Sequence, residues 1–108
     1  MPNANMSKVM NQKNTILLEG KVDNEPIHIH GGLFFYVISE RTSLDINGQE
    51  TKFRVRIRVQ CWGKLSEVLD GKIKKDTNLI VSGWLRQHED QYAIVAEYIK
   101  GDFGTYTG

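Results

Sequence analysis

From Thr51 to Trp62 the chain alternates apolar and polar residues with a period of two. Phe53, Val55, Ile57, Val59 and Cys61 share one side, while Lys52, Arg54, Arg56, Arg58, Gln60 and Trp62 share the other. A strand of this kind turns its β-branched and aromatic residues into a core and leaves its cationic side in water or against an anion. Four like charges along one side repel one another. That cost is easiest to understand if the face holds a polyanion, and the indole at its end offers a flat surface on which a base can stack.

The remaining pattern supplies four more strands and one helix. Residues 1–13 are polar, Asn-rich and unpatterned, and read as a flexible arm carrying Lys8 and Lys13. A first strand starts near Asn14 with Ile16, Leu18, Gly20 and Val22 on one side, and Gly20 predicts a bend or a close backbone approach. Asp23 to Gly32, DNEPIHIHGG, reads as a loop. His28 and His30 have the spacing of metal ligands, but a stable site needs three or four donors and none is near in sequence, so they read as loop histidines without a metal.

Leu33 to Ile46 is the second strand, and Asn47-Gly48 reads as a type I′ turn into the basic strand. With Ile46 opposite Gln49, Phe34, Tyr36 and Ile38 face the core, and Phe35 and Arg41 join the cationic side. A one-residue bulge would reverse part of this pairing. Lys64 to Lys75 follows as a short helix with Leu65, Val68, Leu69 and Ile73 at helical spacing and Gly71 at or near its end. A fourth strand has Leu79, Val81, Gly83 and Leu85 inside and Ile80, Ser82, Trp84, Arg86 and His88 outside. HEDQ turns it into a fifth strand, Tyr92 to Lys100, and GDFGTYTG reads as a short flexible tail over 101–108. Five strands with one short helix between the third and fourth is the order of an all-β, five-stranded OB-fold barrel, here over residues 14–100. The face over strands two and three of such barrels binds oligonucleotides or oligosaccharides.

Composition narrows the function without naming it. A chain of 108 residues with 40% hydrophobic and 25% charged residues fits one globular domain. No window approaches the ~18 apolar residues of a membrane span, and no apolar run opens the chain, so an intracellular, cytoplasmic protein is expected. A net charge of +1 gives no support to nucleic-acid binding by itself, but the bases concentrate between Arg41 and Lys64. The lone Cys61 lies on the apolar side of the basic strand and reads as a small buried hydrophobe. No Ser-His-Asp, Cys-His or paired-carboxylate arrangement converges and no phosphate loop is present, so neither an enzyme nor a cofactor is expected.

Several stretches resemble one family. Asn14 to Val22, NTILLEGKV, is similar to the opening strand of bacterial-type single-stranded DNA-binding proteins, and Phe34 to Arg41, FFYVISER, to their second strand. Arg58 to Glu67, RVQCWGKLSE, resembles their segment in which a basic residue, a short apolar run and an aromatic precede Gly-Lys-Leu. Leu79 to Arg86, LIVSGWLR, resembles the opening of their fourth strand. The resemblance covers about residues 14–100. It implies sequence-tolerant binding of single-stranded DNA, with RNA left open, and self-association into dimers or tetramers.

By that resemblance Trp62 is a stacking aromatic and Arg41, Arg58 and Arg86 are basic contacts. With the ladder itself this gives Phe35, Arg41, Lys52, Arg54, Arg56, Arg58, Trp62, Trp84 and Arg86 as candidate nucleic-acid-binding residues. Arg56 and Thr42 stand where tryptophans are common in the family. The loop Gln87 to Gln91 is short, and only Asp102 follows the last strand in place of an acidic tip. These departures point toward small relatives such as the primosomal protein PriB and leave a second reading open: an OB adaptor acting through protein contacts in a replication-restart or other assembly. Outward apolar residues such as Leu17 and Ile80 are expected in a subunit interface.

Overall fold

The computed structural model describes residues 12–108, so Lys8 and most of the expected N-terminal arm lie outside the described residues. Seven strands and one helix follow in the order β1 (Ile16–Val22), β2 (Ile27–Ile29), β3 (Gly32–Leu44), β4 (Glu50–Trp62), α1 (Gly63–Leu69), β5 (Asn78–His88), β6 (Gln91–Gly101) and β7 (Gly104–Thr107). Neighbours run β1-β5-β6-β4-β3, and β1 pairs again with β3 through Lys21 and Ile38, which closes a five-stranded barrel. This is an all-β OB barrel with one short helix between its third and fourth strands. The strands β2 and β7 are additions to it.

The closure depends on Gly20. A Cβ at that position would collide with the Ile38 carbonyl, so only glycine lets β1 cross β3 closely enough to pair on both sides. Ahead of β1 the chain is held by Asn14, whose side chain donates to the Leu85 carbonyl and accepts from the Leu85 N–H.

The register between β3 and β4 differs from the one expected. Leu44 faces Glu50 and Ile38 faces Arg56, one residue away from the pairing that a two-residue Asn47-Gly48 turn would set. The physical reason lies in Asp45, whose Oδ1 accepts from the backbone N–H of both Asn47 and Gln49 at 2.8 Å. Gly48 N–H donates to the Asp45 carbonyl, and of the turn residues only Gly48 has a positive φ, 79°. This is a type I turn with Asp at its first position, followed by a glycine bulge that adds one residue to the loop.

A slip of one residue exchanges the two faces of a strand. Leu33, Phe35 and Val37 are therefore in the core, and Phe34, Tyr36 and Ile38 are on the outer wall. Phe35, expected on the cationic side, is 1% exposed and packs inside the barrel. Arg41 pairs with Phe53 and stands on the side of Phe53 and Val55, away from the arginines of β4.

The two additions correct further expectations. DNEPIHIHGG contains β2, which forms a hairpin with β3 through His30 and Gly31, both with positive φ, the signature of a type I′ turn. His28 Nδ1 lies 3.3 Å from Asp70 Oδ2, and the described residues contain no group of three or more metal-ligating side chains. The stretch 101–108, expected as a tail, turns back as β7 along β6, with Phe103 and Tyr106 packed against the core. The helix α1 is shorter than its pattern suggested and ends before Gly71, which takes a φ of 80°. It still plugs the barrel with Leu65 and Leu69, with Ile73 following. Ser66 Oγ, fully buried, bonds the Gly63 carbonyl at 2.7 Å and lies 3.1 Å from that of Gly31, which ties α1 to the β2–β3 turn. No helix among the described residues is long and apolar enough to cross a membrane.

Two measurements follow from this packing. Phe35→Ala empties a core site and is expected to cost about 3–5 kcal/mol in denaturant unfolding, while Phe34→Ala costs markedly less. The reverse order would restore the two-residue-turn register. Burial pushes the Cys61 thiol up from its ordinary 9.0 to about 12. The folded state thus keeps a proton that the unfolded state loses, so this contribution to stability is complete below pH 9 and is lost as the pH rises toward 12. Native protein is expected to resist a thiol reagent at pH 8 and to react once unfolded; rapid labelling of the native state would contradict this burial.

Candidate nucleic-acid interface

The outer wall over β3, β4, β6 and β5 is organised in cross-strand rows. Register places Tyr36, Arg58, Ala93 and Arg86 in one row and Phe34, Gln60, Val95 and Trp84 in the next. In the first row the smallest side chain lies between two arginines. Ala93 leaves a depression that Arg58 and Arg86 flank from strands two spacings apart, roughly 10 Å.

The result is a cavity of about 190 Å³ lined by Phe34, Arg58, Gln60, Trp62, Arg86 and Tyr92, together with the exposed His88 and Gln91. It opens where the β5–β6 hairpin meets the β4 wall.

Aromatic contacts hold its cationic and flat groups in place. The Arg58 guanidinium lies over the Phe34 ring at 4.8 Å, and Phe34 meets Trp62 edge to face at 5.1 Å. Trp62 Nε1 donates to Gln60 Oε1 at 3.4 Å. The indole is fixed from two sides and remains 42% exposed. Among the described residues neither Arg58 nor Arg86 has a carboxylate within 4.0 Å, so both are available to an anion.

Arg56 differs from its neighbours. Its Nε donates to Asp23 Oδ2 at 2.6 Å and its guanidinium covers the Tyr36 ring at 3.9 Å. That charge is already answered within the barrel.

Of the nine residues the sequence singles out, Arg58, Trp62 and Arg86 gather at the cavity. Trp84 stands in the adjacent row, outward and partly exposed. Lys52 and Arg54 continue the same side of β4 beyond the barrel wall and extend the cationic track toward the tip of the β3–β4 arm. Phe35 and Arg41 are excluded from this face by the register. Phe34, Gln60 and Tyr92 take part although the sequence pattern does not point to them as ligand-binding residues. The two-residue-turn pairing assigns Phe34 to the core, and the Asp-x-x-Gly spacing of Asp45 and Gly48 is the signal that corrects it.

The opposite side of the arm carries exposed apolar residues among charged ones. Leu17, 72% exposed, and Phe53, 57% exposed, join Val55 along an open groove of about 720 Å³, and Arg41 lies at its edge.

No family model matches the sequence, and no curated protein does. Solved structures do match. The chain superposes on a deletion variant of the single-stranded DNA-binding protein from Thermus aquaticus with a TM-score of 0.71 at 19% identity, over 87% of this chain and 54% of that one. It therefore spans about half the length of the Thermus protein. A Plasmodium falciparum SSB solved in complex with ssDNA gives 0.67 at 22% identity, over 81% and 90% of the two chains. The protein PriB from Ralstonia solanacearum gives 0.61 at 15% identity, over 84% and 99%. At these identities the likeness is one of fold: the chain is built on the OB barrel that these single-stranded DNA-binding and PriB proteins share.

Proposed function

We propose that this protein is a non-catalytic module that binds single-stranded DNA through the wall of β3, β4, β5 and β6, in replication, repair or recombination. The observation that carries the reading is the cavity where two arginines without carboxylate partners flank an exposed, braced indole. Guanidinium groups neutralise phosphates and release counterions, and an indole stacks on any base, a combination that grips a strand with little regard to sequence. Lys52 and Arg54 lengthen the track for further phosphates, and Trp84 adds a second stacking surface. The solved complex of a protein with the same fold and ssDNA favours this ligand.

The exposed apolar groove on the arm supports self-association. Leu17, Phe53 and Val55 form a contiguous apolar surface that a second copy would cover, giving a homodimer or a larger homo-oligomer. The same groove is what favours the adaptor reading, in which a different protein occupies it.

Salt titration of oligonucleotide binding, followed by tryptophan quenching, tests the first reading. Arg58→Ala together with Arg86→Ala should lower affinity and reduce the log–log salt slope by about 0.7 for each phosphate that is no longer neutralised. Trp62→Ala should cost about 1–3 kcal/mol of binding, and Arg56→Ala less than either arginine of the cavity. Unchanged affinity and slope in the double variant would remove the assignment. For the second, Leu17→Asp with Phe53→Glu should shift the mass measured by light scattering to that of a monomer; a wild-type chain that is monomeric at high concentration leaves the groove to the adaptor reading.

A further inference from the structure

The floor of the cavity holds a polar side chain that phosphate binding and stacking do not use. Gln60 is 8% exposed and sits in its row between Phe34 and Val95. An indole N–H can only donate. The Gln60 atom facing Trp62 Nε1 is therefore the oxygen, and the two N–H donors of Nε2 point the other way. Among the described residues the Gln60 side chain makes no other hydrogen bond to protein, and no buried side-chain nitrogen or oxygen is left without a partner. The Nε2 donors are therefore open to the cavity that Gln60 lines.

The flanking guanidinium groups also only donate. Beside the buried amide the cavity thus offers donors, while Tyr92, His88 and Gln91, which also line it, are exposed, free to rotate and impose no such demand. A volume of about 190 Å³ is small beside the roughly 300–1,000 Å³ of pockets that enclose a whole drug-sized ligand. It takes one planar base and leaves the sugar and phosphate outside, with the arginines.

We propose that this cavity is a single-base subsite and that Gln60 biases it toward keto bases, those with a carbonyl at pyrimidine C4 or purine C6, over their amino counterparts. The inference rests on the single-stranded DNA reading of the same wall. A carbonyl at that position accepts from Nε2. An amino group there sets donor against donor, and the amide cannot turn over to accept, because Trp62 already holds its oxygen. The remainder of the strand is bound through phosphates and stacking, so the bias belongs to one position along it.

The test compares short oligomers of deoxyuridine and deoxycytidine, whose bases differ in the group at C4 and the proton at N3. Wild-type protein should bind the deoxyuridine oligomer about three- to tenfold more tightly, the worth of one neutral hydrogen bond. Gln60→Met keeps the bulk of the side chain and removes its donors, so the two affinities should converge while the melting temperature stays close to that of wild type. Gln60→Glu keeps an acceptor for Trp62 Nε1 and presents acceptors to the base, so the ratio should move toward deoxycytidine. Equal wild-type affinities, or a ratio unchanged in Gln60→Met, would overturn the base subsite while leaving strand binding in place. Failure to bind either oligomer at low salt would overturn strand binding, and the subsite with it.

Discussion

Two hydrogen bonds to one carboxylate decide which face of this protein meets the solvent. By accepting from the backbone of Asn47 and Gln49, Asp45 holds a three-residue loop, Ile46 to Gly48, in place of a two-residue one. The pairing of β3 on β4 moves by one residue as a result. Everything on the outer wall inherits that choice. Phe34 and Tyr36 come out to support Arg58 and Arg56, and Phe35 and Val37 go in to fill the barrel. Had the shorter turn won, the arginines would stand beside a different set of neighbours and Phe34 would not brace the indole.

Much of the architecture is legible in the sequence because it is local. Alternation marks β1, β4, β5 and β6, HEDQ marks a tight hairpin, and Gly20 marks the close crossing that shuts the barrel. The face of β3 is not legible in that way. FFYVI is apolar at every position, so periodicity says nothing about which residues point inward. Only the turn carries that information, and Asn-Gly competes there with the longer Asp-x-x-Gly pattern that contains it. The strands β2 and β7 escape for another reason. Ile27 and Ile29 of β2 stay exposed along an edge, unlike the residues of a barrel strand, and β7 has only four residues, too few for alternation to stand out. The ion pair of Arg56 with Asp23 joins residues far apart in sequence, which no spacing rule reveals.

The strand β4 serves two surfaces at once. Its even-numbered residues carry the cationic track and its odd-numbered ones, where they run beyond the barrel at Phe53 and Val55, carry an apolar groove. The two lie on opposite sides of the same ribbon. Nucleic-acid binding at the cavity of Arg58, Trp62 and Arg86 and self-association along the groove, as proposed, therefore use different residues, and the two surfaces meet at Arg54, which lines the groove and continues the track.

Two seams of the barrel are short, the crossing of β1 on β3 and the contact of β4 with β6. The parallel contact of β4 with β6 is confined to Arg58, Val59 and Gln60 against Ala93, Ile94 and Val95. Arg58 and Arg86 stand on either side of it. A chain of phosphates held by both would act as a clasp across one of the two short closures of the cylinder, so occupancy and barrel integrity become linked quantities, each favouring the other.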